Sequence, residues 1–212
     1  MVLRSSFLFL GLLISLPVPE RSHDLALTHV TLVSPPYGRA RPDMTILIRG
    51  GAIAWVGPAR DARLPASVEA IDGHGKFVIP GLWDMHTHFR DAERDLDLDV
   101  ANGVLGVRNM GGIASRVFGL RDDIAAGRRR GPLIVACGPI VDGPDSFSNP
   151  DFTVSVRSPA EARGMVRSLQ RQGADFIKVY DQLSRESYFA LAEAARKQGI
   201  PLAGHIPSAI RV

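Results

Sequence analysis

Between residues 25 and 76, apolar and polar side chains alternate with a period of two, the spacing of half-buried strands. In MTILIRGGAIAWVG two such runs meet at Gly50-Gly51, which predicts a β-hairpin with a glycine turn. VEAIDGHGK adds a short strand and an Asp-Gly turn. Helix signals are few here, so residues 23–76 read as a small β-subdomain.

Beyond Lys76 the pattern changes to apolar blocks separated by helical periods. FVIPGLWDMH reads as a buried-type strand, VLGVRNM (104–110) as a second and PLIVACGPIV (132–141) as a third. A helix is expected over 115–126, with Gly127 just past its end. Ser158-Pro159-Ala160-Glu161 forms a capping box with proline at the first helical position. Ala162, Met165, Val166 and Leu169 then fall on one helical face, and Gly173 ends it. ADFIKVY is a fourth strand, 184–198 a helix closed by Gly199, and PLAGHI a fifth strand. Strands alternating with helices imply βα units on a parallel sheet. The pattern fits half of a doubly wound sheet or the first part of a (β/α)₈ barrel.

Composition changes this picture little in the body of the chain and considerably at its start. The 212 residues carry 25 Lys and Arg against 22 Asp and Glu, and a net +3 gives no reason to expect a nucleic-acid partner. Arg128-Arg129-Arg130 reads as a solvated helix end or loop. Cys137 is the only cysteine, and its setting in PLIVACG predicts a buried thiol with no internal disulfide. At the N-terminus, Arg4 precedes the apolar run FLFLGLLISL, which falls short of the ~20 residues of a spanning helix. Residues 1–22 are therefore expected to be a signal peptide, with no membrane span, and the protein to be secreted or periplasmic. No A-x-A cleavage pattern follows, so an uncleaved anchor is the alternative.

Four residues carry the candidate chemistry. His86 and His88 in DMHTHF share one face of a strand, and neutral imidazoles suit zinc and similar metals. Two exposed loop histidines are the bland alternative. Lys178 lies in DFIKVY, where the strand pattern predicts burial, and a buried ammonium is costly unless paired or neutralised. It is either salt-bridged to a carboxylate or an uncharged amine that carbon dioxide has converted to a carbamate, an anionic bidentate ligand. His205, in AGHIP at the end of the next strand, adds a further imidazole. All four sit near the C-terminal ends of expected strands, the face on which TIM-type barrels build active sites. That favours the barrel.

VIPGLWDMHTHF, GADFIKVY and AGHIP, in this order, resemble the binuclear metal-dependent amidohydrolase superfamily, notably its secreted imidazolonepropionase- and prolidase-related branch. The resemblance implies an α/β fold: an incomplete TIM-type (β/α) barrel of about five strands over 77–212, preceded by the β-subdomain. It implies two divalent metal ions, with zinc the expected identity. His86 and His88 would bind the first, Lys178 as carbamate would bridge, and His205 would bind the second. A bridging hydroxide would be the nucleophile. The implied activity is hydrolysis of amide-type C–N bonds in dipeptides, acyl amino acids or cyclic amides, so the partner is a small molecule.

Two family elements have no counterpart: a histidine on the sixth strand and the general-base aspartate at the end of the eighth. The chain runs only to SAIRV, after the fifth strand, whereas a whole barrel takes about 250 residues. It is expected to be the N-terminal portion of such an enzyme, with no catalytic residue of its own. The alternatives are an inactive fragment needing a complementary chain and a mononuclear deaminase-type member. Lys178 counts against the deaminase, which uses no bridging lysine.

Arg90 completes an H-x-H-x-R pattern, the form in which some family members hold a substrate carboxylate. A surface arginine beside Asp91 is the alternative. Tyr180 shares a face with Lys178 and either lines the pocket or simply packs. Residues 142–156, polar and turn-rich, form an active-site lid or only a long loop. His23, His29 and His74 have no partner spacing and receive no role.

Overall fold

A computed structural model of the chain describes residues 24–34 and 38–210. The expected signal peptide lies outside the described residues. The chain divides into two compact units, one ending at Pro80 and one running from Gly81.

The first unit is a sheet of β1 (Leu25–Val33), β2 (Ala40–Arg49), β3 (Ala52–Pro58), β4 (Glu69–Asp72) and β5 (Phe77–Val78). Its order is β3-β2-β1-β4, with β5 also on β1. The β2–β3 hairpin turns at Gly50-Gly51, as the alternation predicts. Val30, Met44 and Ile46 are buried at its centre, with Leu27, Leu32, Ile48 and Val78 packed against them. The β1–β2 register shifts around Val30. There His29 and Asp43 both take positive φ (57° and 54°) and share a 2.7 Å hydrogen bond. The His29 ring also stacks on His74 at 4.4 Å, and His74 bonds Asp72 at 2.7 Å. Two histidines without legible partners are therefore paired with each other.

The second unit alternates strands and helices. In order they are β6 (Leu82–Thr87), α1 (Ala92–Ala101), β7 (Val104–Asn109), α2 (Ala114–Ala125), β8 (Leu133–Ala136) and β9 (Ile140–Asp142). Then come β10 (Thr153–Ser155), α3 (Pro159–Arg171), β11 (Ile177–Val179), α4 (Arg185–Lys197) and β12 (Leu202–Gly204). Every strand pair here is parallel, in the orders β6-β7-β8 and β10-β9-β11-β12. This is the α/β arrangement of parallel βα units read from the sequence. Helix faces cover the sheets: Leu96, Val117 and Phe118 pack with Val107 and Ile134, while Val166, Leu169 and Leu191 pack with Val141 and Ile177.

The best-signalled helix behaves as its sequence directs. Ser158 Oγ accepts from the Glu161 backbone N–H at 3.2 Å, and Glu161 Oε2 accepts from the Arg157 N–H at 2.9 Å. One donor of the first turn and one just before the cap are thereby occupied. Ala162, Val166 and Leu169 face inward.

Three expectations need correction. FVIPGLWDMH is not one buried strand: β5 pairs with β1 of the first unit, and β6 begins after Ile79-Pro80-Gly81. Leu82, Trp83 and Met85 on β6 are about half exposed (48–50%), because among the described residues this strand has β7 as its only neighbour. The third strand is broken into β8 and β9 at Cys137-Gly138-Pro139, where Gly138 has φ +72° and Pro139 has no N–H for a ladder. β8 pairs with β7 and β9 with β11, so the break hands the pairing from one sheet to the next. Helix α1 is unanticipated, since Leu96-Asp97-Leu98-Asp99 alternates like a strand. Its cap is Asp91, whose side chain accepts from Arg94 N–H, and Leu96 is fully buried beneath it. No helix among the described residues is long and apolar enough to cross a membrane.

Candidate functional site

The strand ends of the second unit converge on one cavity of about 510 Å³, lined by His86, His88, Arg90, Lys178, Tyr180 and His205. All six site residues named from the sequence are thus brought together.

Local hydrogen bonds fix the approach of each. After β6, Asp84 Oδ1 accepts from the His86 N–H at 2.9 Å, and the Thr87 carbonyl accepts from Met110 at 2.9 Å. The His88 ring is held by Nδ1 against the Gly111 carbonyl at 3.0 Å. A carbonyl only accepts, so Nδ1 carries the proton and neutral His88 keeps its lone pair on Nε2. His205 follows β12 through Gly204, whose φ is +133° and where a Cβ would lie 2.1 Å from the Val179 carbonyl oxygen. Only glycine lets that strand end approach β11 so closely. His205 N–H then donates to Val179 O at 3.1 Å, and its Nδ1 meets Asp181 Oδ1 at 3.0 Å, again leaving Nε2 free. His86 stands edge-on to His88 with 5.3 Å between ring centroids. Burial, and then the Lys178 charge, push its pKa below the ordinary histidine value, which favours the neutral imidazole.

Lys178 is 2% exposed and the largest fully buried side chain among the described residues. Among those residues no carboxylate or carbonyl pairs with its Nζ, so the salt-bridged alternative finds no partner. The Tyr180 ring face lies 5.6 Å from its Nζ, and the Tyr180 and His205 ring centroids are 4.3 Å apart. Burial lowers the lysine pKa.

The donors fit a metal in chemistry and tautomer, but they do not close around a single point. Among the described residues, no three His, Cys, Asp or Glu side chains stand together as a cation site. His86 and His88 meet edge-on, His205 packs on Tyr180, and Lys178 lines the same cavity.

Arg90 is exposed to the cavity with its guanidinium unpaired among the described residues. The neighbouring Asp91 carboxylate is engaged instead as the α1 cap. Cys137 is fully buried, its thiol donates toward the Asn109 and Gly138 carbonyls, and burial raises its pKa to about 12. It is a core thiol.

Ser148, Asn149 and Phe152 also line the cavity, and sequence reasoning named none of them. All three belong to the turn-rich stretch between β9 and β10. The available signal was Asn149-Pro150, where the Asn149 side chain accepts from Asp151 N–H at 2.9 Å and starts a short 3-10 turn. That turn sets the Phe152 ring parallel to His88, 6.3 Å between centroids.

No family model matches the chain. Relatives are nonetheless clear. A 92-residue stretch is 38% identical to the imidazolonepropionase of Aromatoleum aromaticum, over 41% of this chain and 22% of that enzyme. A 68-residue stretch is 35% identical to the dihydroorotase of Mycobacterium tuberculosis, over 32% of this chain and 15% of that enzyme. Among solved structures, a Bifidobacterium longum protein assigned as a prolidase superposes with TM-score 0.79 and 29% identity, over 88% of this chain and 50% of its own. The chain therefore spans about half the length of that structure and matches smaller shares of the two enzymes. Parallel βα units and relatives of different specificity point one way: the similarity of this chain is to the amidohydrolase superfamily.

Proposed function

We propose that the chain carries the metal-binding portion of a hydrolase of amide-type carbon–nitrogen bonds, with a binuclear site. In this reading His86 and His88 hold one divalent ion, zinc by donor type, and His205 belongs to a second. Lys178 joins them as a carbamate. The observation that carries the proposal is a lysine 2% exposed, without an acceptor among the described residues, lining the same cavity as the three histidines.

Burial supplies the chemistry for that modification. The pKa of Lys178 is lowered, which raises the share of free amine. The amine lone pair attacks the carbon of carbon dioxide, a C–N bond forms, and one proton leaves to solvent. The product is an anion with two ligand oxygens, so a burial penalty on the ammonium becomes a metal ligand. Bound metals would supply Lewis acidity toward the amide carbonyl and acidify a water to a pKa of roughly 7.

The remaining residues bind and orient. Gly111 and Asp181 fix the tautomers of His88 and His205 through Nδ1, the outer contact that sets ligand orientation in metal sites. Arg90 offers a fork of donors to a substrate carboxylate. Ile140 and Phe152 give the cavity an apolar wall that limits water. Dipeptides, acyl amino acids and cyclic amides all present an amide in reach of such a carboxylate anchor. A mononuclear deaminase-type site would leave Lys178 buried without purpose. The N-terminal run FLFLGLLISL supports export as the route to a secreted or periplasmic site of action.

The test is to incubate the purified chain with zinc and ¹³C-bicarbonate and look for a protein carbamate carbon by NMR. The signal is expected in the wild type and absent in Lys178→Ala. No signal in the wild type removes the bridging role.

A further inference from the structure

The stretch from Gly143 to Phe152 is polar and turn-forming except for two phenylalanines, and neither belongs to a hydrophobic core. Both instead meet rings of the site. Phe152 lies parallel to His88, within 4°. Phe147 is 69% exposed, yet its ring stands edge-on to Tyr180 at 5.9 Å, and Tyr180 touches His205. Large apolar side chains left out of a core in a polar loop, one lining the cavity and one set against a ring that lines it, form an exposed apolar surface that calls for an occupant. Phe152, Ile140 and the Tyr180 ring line the cavity, and Phe147 extends that apolar side outward from Tyr180 at its rim. Its cationic group is Arg90.

We infer that Phe147 and Phe152 are specificity-determining residues that select substrates bearing an aromatic or bulky apolar group next to the amide, with a carboxylate held by Arg90. Hydrophobic N-acyl amino acids, and dipeptides with an apolar first residue, are the substrate class. The inference rests on the hydrolase reading above and narrows it. An aromatic ring against such a wall gains packing that a methyl group cannot.

The test compares two ligands that share a carboxylate and an amide and differ only in phenyl against methyl: N-benzoylglycine and N-acetylglycine. Their affinities for the full zinc-loaded chain are measured by calorimetry. The wild type is expected to bind the benzoyl compound about tenfold more tightly, the factor that burying one ring face supplies. Phe147→Ala with Phe152→Ala should bring the ratio near one, with the larger loss falling on the benzoyl compound. Phe147→Ala alone, at a solvent-exposed position, should give part of that loss with an unaltered circular dichroism spectrum. Equal affinities in the wild type, or a preference that survives in the double variant, overturns the selection while the hydrolase reading stands. If neither ligand binds, or Arg90→Gln changes neither affinity, the hydrolase reading fails and takes the selection with it.

Discussion

Replacing Lys178 with methionine should make the metal-free protein more stable while removing its bridging ligand. The side chain is 2% exposed and its amine has no acceptor among the described residues. A fully buried polar group without a partner costs about 1–3 kcal/mol, and the Lys178 amine, which opens on the cavity, falls at the low end of that range. Methionine keeps the length and flexibility of the stem and has no hydrogen-bonding demand. The expected gain is therefore about 1 kcal/mol, or roughly 2–4 °C in Tm for a chain of this size.

The pH dependence of that gain has a definite sign. The folded-state pKa of Lys178 lies below its ordinary 10.5, so between the two values the unfolded chain binds the extra proton. Wild-type stability then rises with pH through that window, and the advantage of methionine is greatest below it and shrinks toward pH 10.5. Urea unfolding with a chelator present, followed by circular dichroism at several pH values, measures both quantities. A methionine variant less stable than wild type at neutral pH would show that the amine is satisfied, and would refute the reasoning from burial.

Three further outcomes follow from particular contacts. Asp181→Asn should weaken metal binding by about 10–100-fold, because it weakens the partner that orients His205; equilibrium dialysis against zinc reads it. Arg90→Gln should lower affinity for carboxylate-bearing amides by about 10–100-fold, the worth of a charged hydrogen bond, and leave amides without a carboxylate unaffected in the same calorimetric titration. Leu169→Ala, at a side chain 1% exposed between α3 and the sheet, should cost about 2–5 kcal/mol in urea unfolding without changing zinc affinity in the protein that remains folded.

The sequence made some of this legible and hid the rest for physical reasons. Helix α3 was legible because cap, proline and apolar period all agree at Ser158–Leu169, each a local signal. Helix α1 was hidden because Leu96 and Leu98 alternate with aspartates, so a period of two masks a helix whose burial falls on Leu96 while Leu98 is 48% exposed. The single third strand divided because a glycine with positive φ and a proline interrupt the ladder, an effect of pairing partners that apolar content does not encode. In the site, His86, His88, Lys178 and His205 stood out because strand ends concentrate chemistry on one face of βα units. Phe152 and Phe147 did not, since a loop without periodicity gives no hint of which rings it will meet. The stacked pair of His29 and His74 was equally invisible, because the parallel pairing of β1 with β4, Thr28 opposite Asp72, brings together residues far apart in sequence.

The most direct test of the two-metal account is the zinc content of the purified chain, measured by mass spectrometry after dialysis against zinc and bicarbonate, beside Lys178→Ala. The account predicts two zinc ions per wild-type chain and a loss of at least one in the variant, with the fold retained by circular dichroism. Equal zinc content in the two proteins would contradict a bridging lysine and, with it, the binuclear site.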